Sequence, residues 1–247
     1  MQRSDEIGAI FNDVTSLARD LWNLSESVNG LSTDPKMLSV ALFRRLWSNQ
    51  RGFALLWNDQ RLTEGALVLR AAIEAAICLA ANAALGDDFV LTVRQDAVES
   101  IKRQSKMYED DGAYDMARQY KATFLTMANS LPSERPPKVL SWSDLSKAGG
   151  VEVFYTLHRS LSGLHAHVTG LSLMYGIVGA DGDGKDLQEV LQKYTLSAML
   201  PQMASATLIG CDAHSRTLGF AEFEARAVAL IGRLNEATNL RDSPHIA

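Results

Sequence analysis

The apolar stretch 65–85 restricts the fold more than any other part of the chain. It is rich in alanine, leucine and isoleucine, and it is long enough to span a lipid bilayer. Arg70 and Glu74 lie inside it, however, and each charge would cost roughly 2.5–3.5 kcal/mol near the centre of a membrane. We therefore predict a helix buried at the centre of a soluble, cytoplasmic protein that makes no contact with a membrane.

The rest of the sequence has the periodicity of amphipathic helices, and no run alternates as a strand would. Asp34 precedes Pro35 in the pattern of an N-cap followed by a first-turn proline. Asp87 and Asp88 are positioned to cap a fourth helix, and Pro201 is expected to kink a later one. We predict an all-α single-domain bundle of about seven or eight helices. The main predicted helices cover residues 4–26, 35–58, 63–85, 89–110, 113–130, 142–147, 186–216 and 221–239.

The chain is expected to form one domain over residues 1–247. Segment 131–137 has three prolines in seven residues, and we interpret it as a crossing on the surface of that domain. The tail 241–247 is expected to fray. Cys78 and Cys211 lie in apolar helical contexts without CxxC spacing, which favours reduced core thiols.

The net charge of −5 does not favour generic nucleic-acid binding, although a local site could still bind a phosphate. Loop 179–186 matches the phosphate-binding pattern GxxxxGK, but Asp186 stands where Ser or Thr would bind magnesium. The same loop fails as a calcium site, because Gln192 occupies the position of the final glutamate. We predict a turn in which Asp186 caps the next helix, with neither a metal nor a cofactor.

Arg70 and Glu74 are four residues apart, so they share one face of the predicted central helix. Charges in apolar surroundings are costly unless they are paired or face a cavity. The pair therefore either holds this helix to its neighbours as a buried ion pair or borders a polar pocket.

Three of the five histidines fall within ten residues, at His158, His165 and His167. A metal site is disfavoured, because His165 and His167 would point about 200° apart on a helix. A serine hydrolase would pair Ser160 or Ser162 with His165, but the GxSxG elbow is missing. His214 and His245 are isolated, and we assign them no function.

Phosphodiester cleavage is the third interpretation of the cluster. Arg159 and His165 supply a guanidinium to hold a phosphate and an imidazole to move protons. A continuous helix would separate them by about 120°, and Gly163 could loosen the helix enough for them to converge. The alternative is that the histidines are only packed and hydrogen-bonded at a helix end.

Two short motifs give the chain a resemblance to known proteins. One is segment 58–74, which contains Arg70 and Glu74, and the other is Tyr155 followed by Ser162-Gly-Leu-His165. The arrangement resembles the HEPN superfamily of compact helical proteins, whose ribonuclease members have R-x(4–6)-H. It is most similar to an uncharacterised bacterial family of helical domains.

The resemblance implies a metal-independent endoribonuclease that acts as a homodimer on RNA, such as a toxin or phage-defence effector. Arg159 would bind the scissile phosphate, and His165 would serve as acid or base for the ribose 2′-hydroxyl. Ser160 follows the arginine, where many nuclease members have Asn, Asp or His. The alternative is a non-enzymatic binding or scaffold protein that uses the same pocket for a ligand or an unknown protein partner. The supporting residues of this pocket would be Arg70, Glu74, Tyr155, His158, Ser160, Ser162 and His167.

Overall fold

The computed structural model describes residues 2–31, 33–166 and 185–238, without the side chains of residues 2–4, 164, 165 and 185–197. These residues form nine α-helices and one short π-helix, and they contain no strand, which confirms the all-α prediction. The helices are α1 (Gln2–Ser25), α2 (Pro35–Asn58), α3 (Leu62–Leu85), α4 (Asp87–Asp110), α5 (Tyr114–Ala128), α6 (Trp142–Ala148), α7 (Glu152–Leu161), α8 (Lys185–Leu218) and α9 (Ala221–Thr238). The π-helix (Ser162–Ala166) follows α7 directly.

Helix boundaries agree with the local sequence signals in some places and differ in others. The Asp34 carboxylate caps α2 as predicted and accepts a hydrogen bond of 2.8 Å from the backbone N–H of Lys36. By contrast, Gly86 is the residue before α4, so Asp87 lies inside the first turn of that helix. A carboxylate there still interacts favourably with the helix dipole.

Two predictions concern α8 and the loop before it. The helix already begins at Lys185, so Asp186 lies inside it and is not its N-cap. The helix also continues through Pro201, which lies in its interior. The rest of the glycine-rich loop, residues 179–184, falls outside the described residues.

Helix α3 lies at the centre of the bundle. It packs against α2, α4, α6, α7 and α8, and most of its side chains from Ala72 to Asn82 are buried. By length and composition this helix could cross a membrane, but 67% of its most apolar 18-residue window is buried inside the protein. The prediction of a buried central helix is confirmed.

The proline-rich segment 131–137 runs beside α4. The Gln95 side chain donates a hydrogen bond of 2.6 Å to the carbonyl of Pro136, and the backbone N–H of Leu140 donates one of 2.9 Å to Asp96. Proline cannot supply a ladder of backbone donors, so side chains of α4 hold the segment in place. The chain can then reach α6, which packs on α3.

Gly149 allows the close approach of the end of α6 to α3. A β-carbon at this position would lie 2.7 Å from the Ala80 β-carbon and 3.0 Å from both the Ala80 carbonyl carbon and the Ala81 nitrogen. Two of these three neighbours are backbone atoms of a buried helix, so they cannot move aside as the end of a flexible side chain could.

We predict that Gly149→Ala lowers the free energy of unfolding by about 1–3 kcal/mol, because the added methyl group overpacks this contact. Gly8→Ala is the matched control, since no atom lies within 4 Å of the new methyl group in α1. That control should raise stability by roughly 0.5–1 kcal/mol through helix propensity. Urea unfolding of both variants measures the effects, and a stabilising Gly149→Ala would contradict the close contact.

His214, to which the sequence assigned no function, is a fully buried core residue of α8. Its ring stacks on Phe43 with centroids 4.3 Å apart, and its Nε2 and Nδ1 lie 2.8 and 2.7 Å from the hydroxyls of Ser25 and Ser39. Ser25 donates its own proton to the carbonyl of Leu21, so it accepts from Nε2–H and leaves Nδ1 to accept from Ser39. Burial lowers the pKa of His214 from 6.5 to about 3.

This lowered pKa predicts a loss of stability in acid. The unfolded chain binds the His214 proton first, so the stabilisation is complete above pH 6.5 and decreases as the pH falls towards 3. Between pH 7 and pH 5, the free energy of unfolding of the wild type should fall by about 2 kcal/mol more than that of His214→Gln. Denaturant unfolding of both proteins at each pH measures the difference, and parallel stability curves would contradict a neutral buried His214.

Candidate functional site

A network of polar side chains joins α7 to α3 and contains both charges of the central helix. Arg70 and Glu74 form an ion pair of 2.9 Å between Nη2 and Oε1, with side chains 26% and 17% exposed. The Nε2 of His158 lies 3.0 Å from the same carboxylate oxygen, and its side chain is 8% exposed. Glu74 therefore accepts hydrogen bonds from Arg70 on its own helix and from His158 on α7.

Ser162 extends the network to the π-helix. Arg70 donates from Nε to the Ser162 hydroxyl oxygen at 2.7 Å, and that hydroxyl donates to the carbonyl of His158 at 2.7 Å. The network therefore fixes both the last turn of α7 and the start of the π-helix (Ser162–Ala166). Short π-helical turns occur frequently at functional sites.

The tautomer of the His158 ring follows from its neighbours. Because Nε2 lies next to a carboxylate, we assign the proton to this nitrogen. Nη2 of Arg70, 3.3 Å away, is also a donor, so this contact is not a hydrogen bond. The other nitrogen, Nδ1, is buried and has no hydrogen-bond partner among the described residues. The ring also lies against Trp142 of α6, with centroids 5.3 Å apart.

The network is suited mainly to holding α7 in position. Arg70 donates to Glu74 and to Ser162, and Ser162 gives its proton to a backbone carbonyl. Among the described side chains, none places a base beside this hydroxyl, and its proton is already donated to the carbonyl of His158, so the arrangement does not prepare Ser162 to act as a nucleophile. The network does hold α7 in one orientation against the core.

The opposite face of α7 is exposed and contains the predicted phosphate-binding residue. Among the described residues, Arg159 reaches only the Tyr155 hydroxyl, through a long contact of 3.4 Å, and pairs with no carboxylate. Ser160 is exposed and donates to the carbonyl of Thr156. The backbone of His165 lies in the π-helix, whereas its side chain is outside the described residues.

The predicted site residues therefore separate into two groups. Arg70, Glu74, His158 and Ser162 meet in the network, while Tyr155, Arg159 and Ser160 lie on the more exposed side of α7. His167 lies outside the described residues. Arg70 and Glu74 form a partly buried ion pair that joins α3 to α7, as in the first of the two alternatives, and the polar pocket of the second alternative stays a prediction.

No group of three or more His, Cys, Asp or Glu side chains suited to a metal occurs in the described part of the chain. Cys78 and Cys211 are both buried, free thiols. Burial raises the pKa of Cys78 to about 12, and it also raises that of Cys211. A thiol that remains protonated is a poor nucleophile, so neither cysteine is a candidate catalytic group.

The sequence did not single out Trp142, and it gave His158 only a supporting role. The spacing of His158 and Ser162, four residues apart on one helix face, was the one local signal for their joint contact with α3. Trp142 had no comparable signal, because its contact with His158 depends on how α6 packs beside α7.

The fold and this site define an all-α protein with a partly buried Arg–Glu–His network. Comparison of the chain with models of known protein families, with curated proteins and with solved structures finds no match.

Proposed function

We propose that the protein is a metal-independent endoribonuclease whose catalytic pair is Arg159 and His165. The proposal places it in the cytoplasm as a homodimer, in agreement with the resemblance to the HEPN superfamily. One observation carries it: Arg159 is an exposed guanidinium without a carboxylate partner in the described residues, on a helix whose other face is fixed to the core.

An unpaired arginine is well suited to a phosphodiester. Its planar guanidinium donates two parallel hydrogen bonds to phosphate oxygens, and it stays charged at every physiological pH. Arg70, by comparison, is already committed to Glu74 and Ser162. Arg61 pairs with Glu64 in the same way, so of these three arginines Arg159 is the one without a carboxylate partner among the described residues.

His165 would supply the acid–base step. As a base it takes the proton of the ribose 2′-hydroxyl, and the resulting oxygen attacks the adjacent phosphorus. The bond from phosphorus to the 5′-oxygen then breaks, and that oxygen takes a proton from the imidazolium of His165. The products are a 2′,3′-cyclic phosphate and a 5′-hydroxyl, so the reaction needs no metal and no water.

The network of Arg70, Glu74, His158 and Ser162 has a supporting part in this proposal. It fixes the end of α7 and the start of the π-helix, which are the segments that present Arg159 and His165. A catalytic group that is displaced by about 1 Å loses on the order of 10²-fold in rate. Removing a member of the network should therefore reduce cleavage without removing either catalytic residue.

The experiment is incubation of total RNA with the wild type and with His165→Ala in the presence of EDTA. We expect the wild type to cleave and His165→Ala to be about 10²–10⁴-fold slower, the range for the loss of a general acid or base. His245→Ala is the matched control and should cleave as fast as the wild type. Cleavage that survives in His165→Ala would overturn the assignment. RNA binding without cleavage by the wild type would favour the non-enzymatic alternative.

A further inference from the structure

Residues 99–128, the distal part of the α4–α5 hairpin and here called the arm, extend away from the hydrophobic core. Phe89 is the only buried α4 residue in that core, and α5 contributes none. Within the part of the chain that the structure describes, helix α5 packs extensively on α4 alone and buries a single residue, Ala117.

The two helices of the arm bury little against each other. Tyr108 and Tyr120 have ring centroids 5.1 Å apart, and Ser105 donates to the carbonyl of Ala117. Helices of this length gain most of their stability from tertiary packing, and the other described residues supply little of it to the arm. Large apolar side chains are exposed along it instead. They are Met107, Tyr114, Met116 and Leu125, with exposed fractions of 49%, 65%, 38% and 53%.

Acidic residues are concentrated at one end of the arm and basic residues in the rest of it. The tip, residues 109–115, has four carboxylates and no basic residue. The stem, residues 99–106 and 116–121, has five basic residues and one carboxylate. Only Asp115 of the four tip carboxylates forms an ion pair, with Arg118, and the stem residues Lys106 and Lys121 form none among the described residues.

The acidic tip of one arm is therefore complementary in charge to the basic stem of a second arm. The rise of 1.5 Å per residue places the centre of the tip roughly 10 Å from the basic part of α4. If two arms lie antiparallel, each tip meets the stem of the other copy, and both contacts form at once. An interface of this kind, in which the same patch serves both subunits, is the one that two-fold symmetry produces.

We propose that the arm is a dimerisation surface, occupied by the antiparallel arm of a second copy of this chain. The four helices would bury the exposed apolar side chains, and the tip–stem charges would set the antiparallel orientation. This inference does not rest on the proposed ribonuclease activity, because the arm is separate from α7 and the network.

Sedimentation equilibrium of the full chain and of two charge-reversed variants tests the proposal. The tip variant has Asp110→Lys and Asp111→Lys, and the stem variant has Lys106→Glu and Lys121→Glu. The wild type should dimerise and should dissociate more readily at high salt. Each variant alone should have a dimer dissociation constant at least about tenfold higher, because like charges then face each other.

Mixing the two variants separates a specific contact from a folding defect. At one end of the heterodimer the altered tip then meets an altered stem with the opposite charge at each exchanged position, and at the other end an unaltered tip meets an unaltered stem. The mixture should therefore form a heterodimer about as tight as the wild-type dimer. Glu26→Lys with Glu236→Lys is the matched control, since these exposed carboxylates lie outside the arm, and its dimer should be unchanged. A monomeric wild type, variants that dimerise normally, or a mixture that stays monomeric would each overturn the proposal.

Discussion

Glu74→Ala is expected to lower the free energy of unfolding by about 2–3 kcal/mol. The substitution leaves the Arg70 guanidinium and the His158 ring without their shared acceptor in a partly buried site. Removing one partner of a fully buried ion pair costs about 3–5 kcal/mol, and the partial exposure of Arg70 reduces that cost through solvent screening. Denaturant unfolding followed by circular dichroism measures the change.

Glu64→Ala is the matched control for this prediction. Glu64 is on the same helix and pairs with Arg61, but both side chains are about half exposed. The loss of stability in Glu64→Ala should therefore be much smaller than in Glu74→Ala. A second comparison replaces the ion pair with apolar groups, as Arg70→Met with Glu74→Leu. This double variant should lose less stability than Glu74→Ala, because no unpaired charge remains. Equal losses for Glu74→Ala and Glu64→Ala would contradict the role of the network.

Arg159→Ala should reduce RNA cleavage by about 10²–10³-fold, the range for removing one donor that stabilises charge in a transition state. Arg159→Lys should be intermediate, since lysine keeps the charge but not the two parallel donors. Initial rates on a labelled RNA, measured over a range of substrate concentrations, give the effect on kcat and KM.

The folding of these variants should be unaffected, because Arg159 is exposed and its contact within the described residues is a long one, with the Tyr155 hydroxyl. Thermal unfolding of each variant checks this expectation. Arg19→Ala serves as a control for the removal of a surface arginine, since its side chain is 58% exposed and lies outside both the arm and the network, and it should cleave at the wild-type rate. If Arg159→Ala cleaves as fast as the wild type, another group binds the scissile phosphate and the role proposed for Arg159 is wrong.

Local features of the fold were predictable from the sequence. The beginning of α2 depends on Asp34 and Pro35, which are adjacent, and the end of α3 depends on Gly86, whose φ of +54° suits glycine. The burial of α3 followed from its own composition. In each case the deciding interactions lie within a few residues along the chain.

The contacts of the site were not predictable in the same way. His158 and Glu74 are 84 residues apart, and their contact depends on how α7 packs on α3. Ser25 and His214 are separated by 189 residues, so no local pattern distinguishes this histidine from an exposed one. The sequence identified residue types capable of chemistry, whereas helix packing decided which of them meet.

The most direct test of the account uses an RNA oligonucleotide that the wild type cleaves in EDTA. The same oligonucleotide is then made with one 2′-deoxyribose on the 5′ side of the cleavage position. If Arg159 and His165 cleave through the 2′-hydroxyl, the cut at that position disappears, and the original RNA yields a 2′,3′-cyclic phosphate. Equal cleavage of the deoxy-substituted oligonucleotide, or no cleavage of any RNA by the wild type, would contradict the account.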